Sequence, residues 1–229
     1  ERAGFLIARP AGGTSCRLAI SAKGGTNAEN HNHNDVGSYA VALGSETMVG
    51  DQGGPNSYPG DYFNGDAPQK YKIKGSFGHP VPVVDGRTQS SGGKAKGVVL
   101  QKEFTNEKDV FSINYTSAYS TPNLDKLIRT FVYDRQGKGS FTVGDEFTAK
   151  TPIRFETAIT TRADWKILDD THLLLATDSE QMIVAIEASG KVAFTSETIE
   201  VNSPAYTRIG IALKNQSKEG YIRLKMYTK

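Results

Sequence analysis

Val110-Phe111-Ser112-Ile113-Asn114-Tyr115 carries an apolar or aromatic side chain at 111, 113 and 115, with polar residues between them. A period of two is that of a β-strand with one buried face. The same reading extends outward. Phe141 and Val143 repeat it downstream, and Cys16-Arg17-Leu18-Ala19-Ile20-Ser21 repeats it upstream. Between and beyond these points, runs such as 97–104, 126–133, 140–147, 153–161, 172–176, 181–187, 206–213 and 221–227 read as strands. Turn residues fall about every ten positions. Gly44-Ser45, Gln136-Gly137-Lys138-Gly139 and Ala188-Ser189-Gly190-Lys191 read as hairpin connections. Only 117–125 is expected to hold a helical turn. Pro80 and Pro82 around Val81-Pro82-Val83-Val84 demote that run to an edge strand. The fold class is therefore all-β, a large antiparallel β-sandwich, with 1–229 as a single domain.

Composition narrows the function. The 229 residues suffice for a sizeable core. A net charge of +2 gives no electrostatic basis for binding nucleic acid. The single cysteine, Cys16, allows no internal disulfide. No apolar run approaches the roughly 20 residues of a membrane helix. The chain opens Glu1-Arg2-Ala3, without Met or a signal peptide, as expected of a processed product or a cut-out domain.

Two segments break the strand pattern. The first, Gly24 to Asn34 with Asp35 next to it, is polar and rich in Gly and Asn, and reads as a loop. It holds Asn30-His31-Asn32-His33-Asn34-Asp35, and so two of the chain's four histidines. The second runs from Asp51 to Gly75, with Tyr58, Tyr62, Phe63 and Tyr71 among glycines and prolines. A loop that long in a compact domain is functional or disordered. Four aromatics argue against disorder. Imidazole and carboxylate are the donors that zinc and similar ions favour. His31, His33, Asp35, Asp51 and His79 are thus candidate ligands, to be gathered where strand ends converge on one rim. Asp35 reads first as the cap of the turn before Val36-Gly37. Asn30, Asn32 and Asn34 are candidate hydrogen-bonding partners of a ligand or substrate. Tyr58 and Tyr62 are candidates to stack on a sugar or to transfer a proton. His172 reads as structural and Arg129 as an ordinary strand charge.

In order and spacing these residues resemble a family. Asn30-His31-Asn32-His33-Asn34-Asp35-Val36-Gly37-Ser38-Tyr39, then Asp51-x-Gly53, then Ser76-Phe77-Gly78-His79, then Val83-Val84-Asp85-Gly86-x-x-Gln89 are similar to the heparinase II/III-like domain. So are Arg129 to Arg135 and Asp145-Glu146-Phe147. This is the C-terminal β-sandwich of polysaccharide lyases of the heparinase and oligoalginate lyase type. The resemblance implies His33, Asp51 and His79 as zinc ligands and His31 as a catalytic residue facing the substrate groove. Asn30, Asn32, Tyr58 and Tyr62, picked out above from the residues themselves, are the expected substrate contacts, and the resemblance implies a uronate polysaccharide or oligosaccharide as substrate. It also implies β-elimination, an upstream α/α toroid supplying the rest of the active site, and a periplasmic or secreted location. The zinc is expected to be structural or supporting. Pro80 departs from the Asn that commonly follows the third histidine in the family, which bears on local geometry and leaves the ligand in place. Two other classes remain as alternatives. One is a cupin-like metalloenzyme, whose motif opening fits Gly25 to His33 but whose later Glu is missing. The other is a non-catalytic carbohydrate-binding module.

Overall fold

In a computed structural model, residues 4–10, 12–51, 54–201 and 203–229 are described. Gln52 and Gly53 of the motif, and Glu1-Arg2-Ala3, lie outside the described residues. Among the described residues, seventeen strands follow one another in chain order. The first six are β1 (Phe5–Ala8), β2 (Leu18–Lys23), β3 (Gly25–Asn27), β4 (Tyr39–Leu43), β5 (Glu46–Val49) and β6 (Val83–Val84). Next come β7 (Gly92–Phe104), β8 (Lys108–Asn114), β9 (Leu124–Asp134), β10 (Ser140–Ile153), β11 (Phe155–Thr161) and β12 (Asp164–Asp169). The last are β13 (His172–Ala176), β14 (Gln181–Ala188), β15 (Val192–Val201), β16 (Ser203–Leu213) and β17 (Ser217–Thr228).

The strands form an all-β sandwich of one large sheet and two small ones. The nine-stranded sheet has the order β12-β13-β14-β17-β10-β9-β8-β7-β3. The four-stranded sheets are β1-β2-β4-β5 and β15-β16-β11-β6. The run 110–114 falls on β8, third from the β3 edge of the large sheet, and Tyr115 directly follows it. Phe111 pairs directly across from Phe131, which pairs with Val143. The rings of Phe111, Phe131 and Phe141 stack at 6.0 and 6.1 Å. Tyr39 of β4 packs on Phe131 and Phe141, at 6.3 and 5.9 Å, and joins the first small sheet to the large one. Phe147 and Phe155, stacked at 4.6 Å, lie on the large sheet and the second small one. Burying each such side chain stabilises the fold by about 1.5–3 kcal/mol.

The two small sheets meet through β5 and β11. Gly50 N–H donates to Thr160 O at 3.0 Å, and Thr161 Oγ1 donates to Met48 O at 2.7 Å. This seam fixes the residue before Asp51. The β6 strand is an edge strand, as its prolines require.

Several expectations are corrected. Gly25–Asn27 is a strand inside the segment read as loop, paired with β7. β7 itself begins at Gly92, within what reads as a loop tip. Helical turns occur at Ala67–Lys70 and Ser76–Gly78 as well as at Thr116–Ala118. Pro68 near the start of the first suits an N-terminal turn, where its missing N–H leaves nothing unpaired.

Arg129 is not an ordinary strand charge. It is fully buried, and all five of its N–H donors are used. Nε and Nη2 donate to Asp145 Oδ1 and Oδ2 at 2.7 and 2.6 Å, and Nη2 also donates to Thr157 Oγ1 at 3.0 Å. Nη1 donates to the carbonyls of Gly37 and Pro80, both at 2.7 Å. One guanidinium thereby ties the end of the His-rich stretch and the residue after His79 to the large sheet. The proline at position 80 leaves this carbonyl available.

Candidate metal and substrate site

The His-rich stretch is held by a buried amide. Gln89 Oε1 accepts from Val36 N–H at 3.1 Å and from Asn27 Nδ2 at 3.0 Å, while Gln89 Nε2 donates to Val36 O at 2.7 Å. Asn27 Oδ1 accepts from Asp35 N–H at 3.1 Å. Gln89 N–H donates to Ser76 Oγ at 2.8 Å and so reaches the turn that carries His79. Asn34 is buried too, and its Nδ2 donates to Ser91 Oγ at 3.0 Å. Asn34 therefore serves the loop. Gly78 lies where a Cβ would stand 2.3 Å from Lys72 O and 2.8 Å from the Tyr206 hydroxyl, so the approach to His79 needs glycine.

These supports bring Asp35, Asp51 and His79 together. One ligand atom from each lies within 4.8 Å of the others, so the three could hold a metal ion. His79 is 1% exposed. Its Nδ1 lies 3.0 Å from Asp51 Oδ1, yet neither ring nitrogen makes a hydrogen bond of good geometry. A buried imidazole in that condition bears a desolvation cost that coordination removes. The donor set therefore fits a divalent ion that takes nitrogen and carboxylate oxygen.

Asp35 does close a turn, but through its backbone, since Ser38 N–H donates to Asp35 O at 2.9 Å. Its carboxylate is left to the metal group and to an ion pair with Lys23. His33 stands alongside: its ring centroid is 5.1 Å from that of His79, and Tyr62 Oη lies 3.1 Å from its Nε2. The metal-competent set among the described residues thus contains Asp51 and His79 of the expected ligands, adds Asp35, and has His33 as neighbour.

Electrostatics follow from burial and proximity. Burial, then His79, lower His33 to about 4, so its ring is neutral around pH 7. In His79 burial acts downward, but the charges of Asp51 and Asp35 outweigh it and raise the pKa. Burial raises Asp35 against the pull of His79 and Lys23. Burial, then Tyr58, push Tyr62 up to about 12, so its hydroxyl stays protonated around pH 7.

Two cavities share one wall. A cavity of about 710 Å³ is lined by Asn30, His31, Asn32, Asn34, Phe63 and Lys74, among others. A smaller one, about 340 Å³, is lined by His31, Asn32, His33, Asp35, Asp51 and Lys23, among others. His31 and Asn32 line both. His31 has φ +59°, a left-handed conformation rare outside glycine and concentrated at functional sites. Its ring meets Phe63 edge-on at 4.8 Å. Asn32 Nδ2 donates to His33 O at 2.8 Å.

Tyr58 is 56% exposed and packs on Tyr62 and Phe63, both at 5.1 Å. Tyr62 is buried inside that cluster and reaches the site through its hydroxyl. The exposed aromatic surface beside His31 belongs to Phe63 and Tyr58. His172 lies away from the rim on β13, where its Nδ1 is 3.0 Å from Asp169 Oδ1.

No protein-family model matches the sequence, and no curated protein compared with it does. Solved structures do match. Over 100% of this chain, the crystal structure of a heparinase III superposes with a TM-score of 0.77 at 18% identity. A mutant of the heparan sulfate lyase HepC from Pedobacter heparinus gives 0.78 at 16%, and the unmutated enzyme 0.76 at 15%. The chain spans only 36% of the length of each. It has the fold of a heparinase III-like domain.

Proposed function

We propose that this chain is the β-sandwich of a polysaccharide lyase acting on a uronate-containing polymer. One observation carries the reading: the metal-competent group and the asparagine-lined cavity meet at the strained His31. The likeness of fold to heparinase III supports it, as does the chain's span of about a third of those enzymes. On this reading the remaining catalytic groups stand on a helical domain elsewhere in a longer, exported protein.

His33, Asp51 and His79, with Asp35 now beside them, would hold the ion, zinc by its donor chemistry. When bound, such an ion supplies positive charge that fixes the rim and neutralises the two carboxylates. The other roles fall to the chain's own residues. β-Elimination removes the proton α to a carboxylate, and negative charge builds on that carboxylate as the C–H bond breaks. Stabilising that charge is the main demand. His31, held at the common wall, faces the sugar and donates to it or shares its proton. Asn30 and Asn32 hydrogen-bond sugar oxygens across the larger cavity. Tyr58 stacks on a sugar face, and the protonated Tyr62 fixes the orientation of His33.

The test is activity of the natural full-length protein on alginate and heparan sulfate. Formation of unsaturated product, read by ultraviolet absorbance, and its loss in His31→Ala are expected. The chain alone is expected to bind oligouronate without turnover. A full-length protein that binds these polymers and never cleaves them would instead make this a binding module.

A further inference from the structure

Lys74 is a charge whose place the reading above does not explain. It is only 7% exposed, yet it lines the larger cavity. Its ammonium donates to Tyr62 O and lies 4.8 and 4.9 Å from the ring centroids of Tyr62 and Phe63. Among the described residues no carboxylate pairs with it. Burial lowers its pKa and no neighbouring acid opposes that. Lys23, across the His31 wall, has Asp35 as counter-ion. The acid on the wall of the larger cavity, Glu29, accepts instead from Thr26 Oγ1 at 3.1 Å.

A buried cation is normally paired, because desolvation is costly. An ammonium has three donors, and one goes to the Tyr62 carbonyl. Two aromatic faces stabilise the charge without neutralising it. A cation held in this way beside a polar cavity is prepared for an anion from outside.

We propose that Lys74 is an anion-binding residue, whose ammonium receives the carboxylate or sulfate oxygens of an acidic sugar seated in the larger cavity beside Phe63 and His31. The identity of the sugar rests on the lyase reading above; the oxyanion site rests on the geometry of Lys74. The contact is a charge-assisted hydrogen bond. It sets the sugar's orientation, so Lys74 is a positioning and specificity residue.

The experiment is a titration of the isotopically labelled chain, following the Lys74 side-chain Cε signal by NMR. Sodium acetate and sodium sulfate are the first probes. The Lys74 signal is expected to move with one or both, and the stronger response assigns carboxylate or sulfate ester. No movement with either overturns the proposal, and this arm needs no variant to fold. Calorimetry with tetramannuronate and neutral mannotetraose follows. Lys74→Met is expected to weaken tetramannuronate binding by about tenfold or more, with Lys74→Arg restoring most of it. The neutral sugar is expected to bind wild type and Lys74→Met alike. Equal tetramannuronate affinity in wild type and Lys74→Met overturns the proposal while leaving the lyase reading intact. A Lys74 response to the small anions, with neither tetramannuronate nor a heparan sulfate tetrasaccharide bound, keeps the anion site and removes the lyase reading.

Discussion

His79 sits in the interior with Asp51 and Asp35 close by and no well-formed hydrogen bond on either ring nitrogen. Because those acids outweigh burial, the metal-free ring keeps its proton to higher pH than a free imidazole. Metal binding must expel that proton. Affinity is therefore expected to rise with pH, at a slope of about one in log units, and to flatten above the raised pKa of His79. His33, lowered to about 4, releases nothing further in this range, while Asp35, raised by burial, adds to the slope wherever it still holds a proton. Competition against a chromophoric chelator between about pH 6 and 9 measures the slope, and a flat profile would contradict it. Asp51→Asn is expected to cost at least about tenfold in affinity. His79 and Asp51 were legible because one opens a segment and the other closes a strand, positions that converge on a rim. Asp35 was legible only as one candidate ligand that read first as a turn cap, because a turn residue's carboxylate and carbonyl cannot be told apart in sequence. Lys74 was illegible for a plainer reason: one lysine in a glycine-rich loop looks solvated, and only packing shows that Tyr62 and Phe63 enclose it.

The segment from Gly54 to His79 is long, but its second half is not slack. The turns at Ala67–Lys70 and Ser76–Gly78 compact it, and the aromatic cluster packs Tyr71 on Tyr62 at 5.4 Å. Gly78 is a tight point directly before His79. Gly78→Ala places a methyl against the carbonyl of Lys72, which is backbone and cannot step aside. The expected cost is about 1–3 kcal/mol, seen as a lowered melting temperature, with weaker metal retention because His79 is next in the chain. Unchanged stability together with full metal content would refute this account. Strand periodicity gave the sheet elements, since alternation survives in sequence wherever one face is buried. It failed for Gly25–Asn27 and the start of β7, where small polar residues pair by backbone alone. The turns at Ala67–Lys70 and Ser76–Gly78 were hidden for a similar reason: each is a single turn, too short for a 3.6-residue period to register.

At the level of the molecule, Arg129 joins the large sheet to two loops that are otherwise distant in sequence. Removing it leaves Asp145 buried without its partner and releases the carbonyls of Gly37 and Pro80. Arg129→Met is expected to cost about 3–5 kcal/mol in urea unfolding. The double variant Arg129→Met/Asp145→Leu is expected to recover part of that, since it removes the stranded charge. A loss below about 1 kcal/mol would mean the guanidinium holds nothing together. The sequence placed Arg129 on a strand and could not say which way it faced, because the partners that bury it come from positions 37, 80, 145 and 157.

The same anchor has a kinetic consequence. Asp35 and His79 are buried on backbone that Gln89 and Arg129 hold, whereas the Asp51 side chain remains 27% exposed. An ion seated among them has a single yielding wall. Its residence time would follow how often Asp51 swings toward water, much as a latch outlasts or fails its hinges, and chelators would extract it at a rate set by that one side chain while the sandwich stays folded.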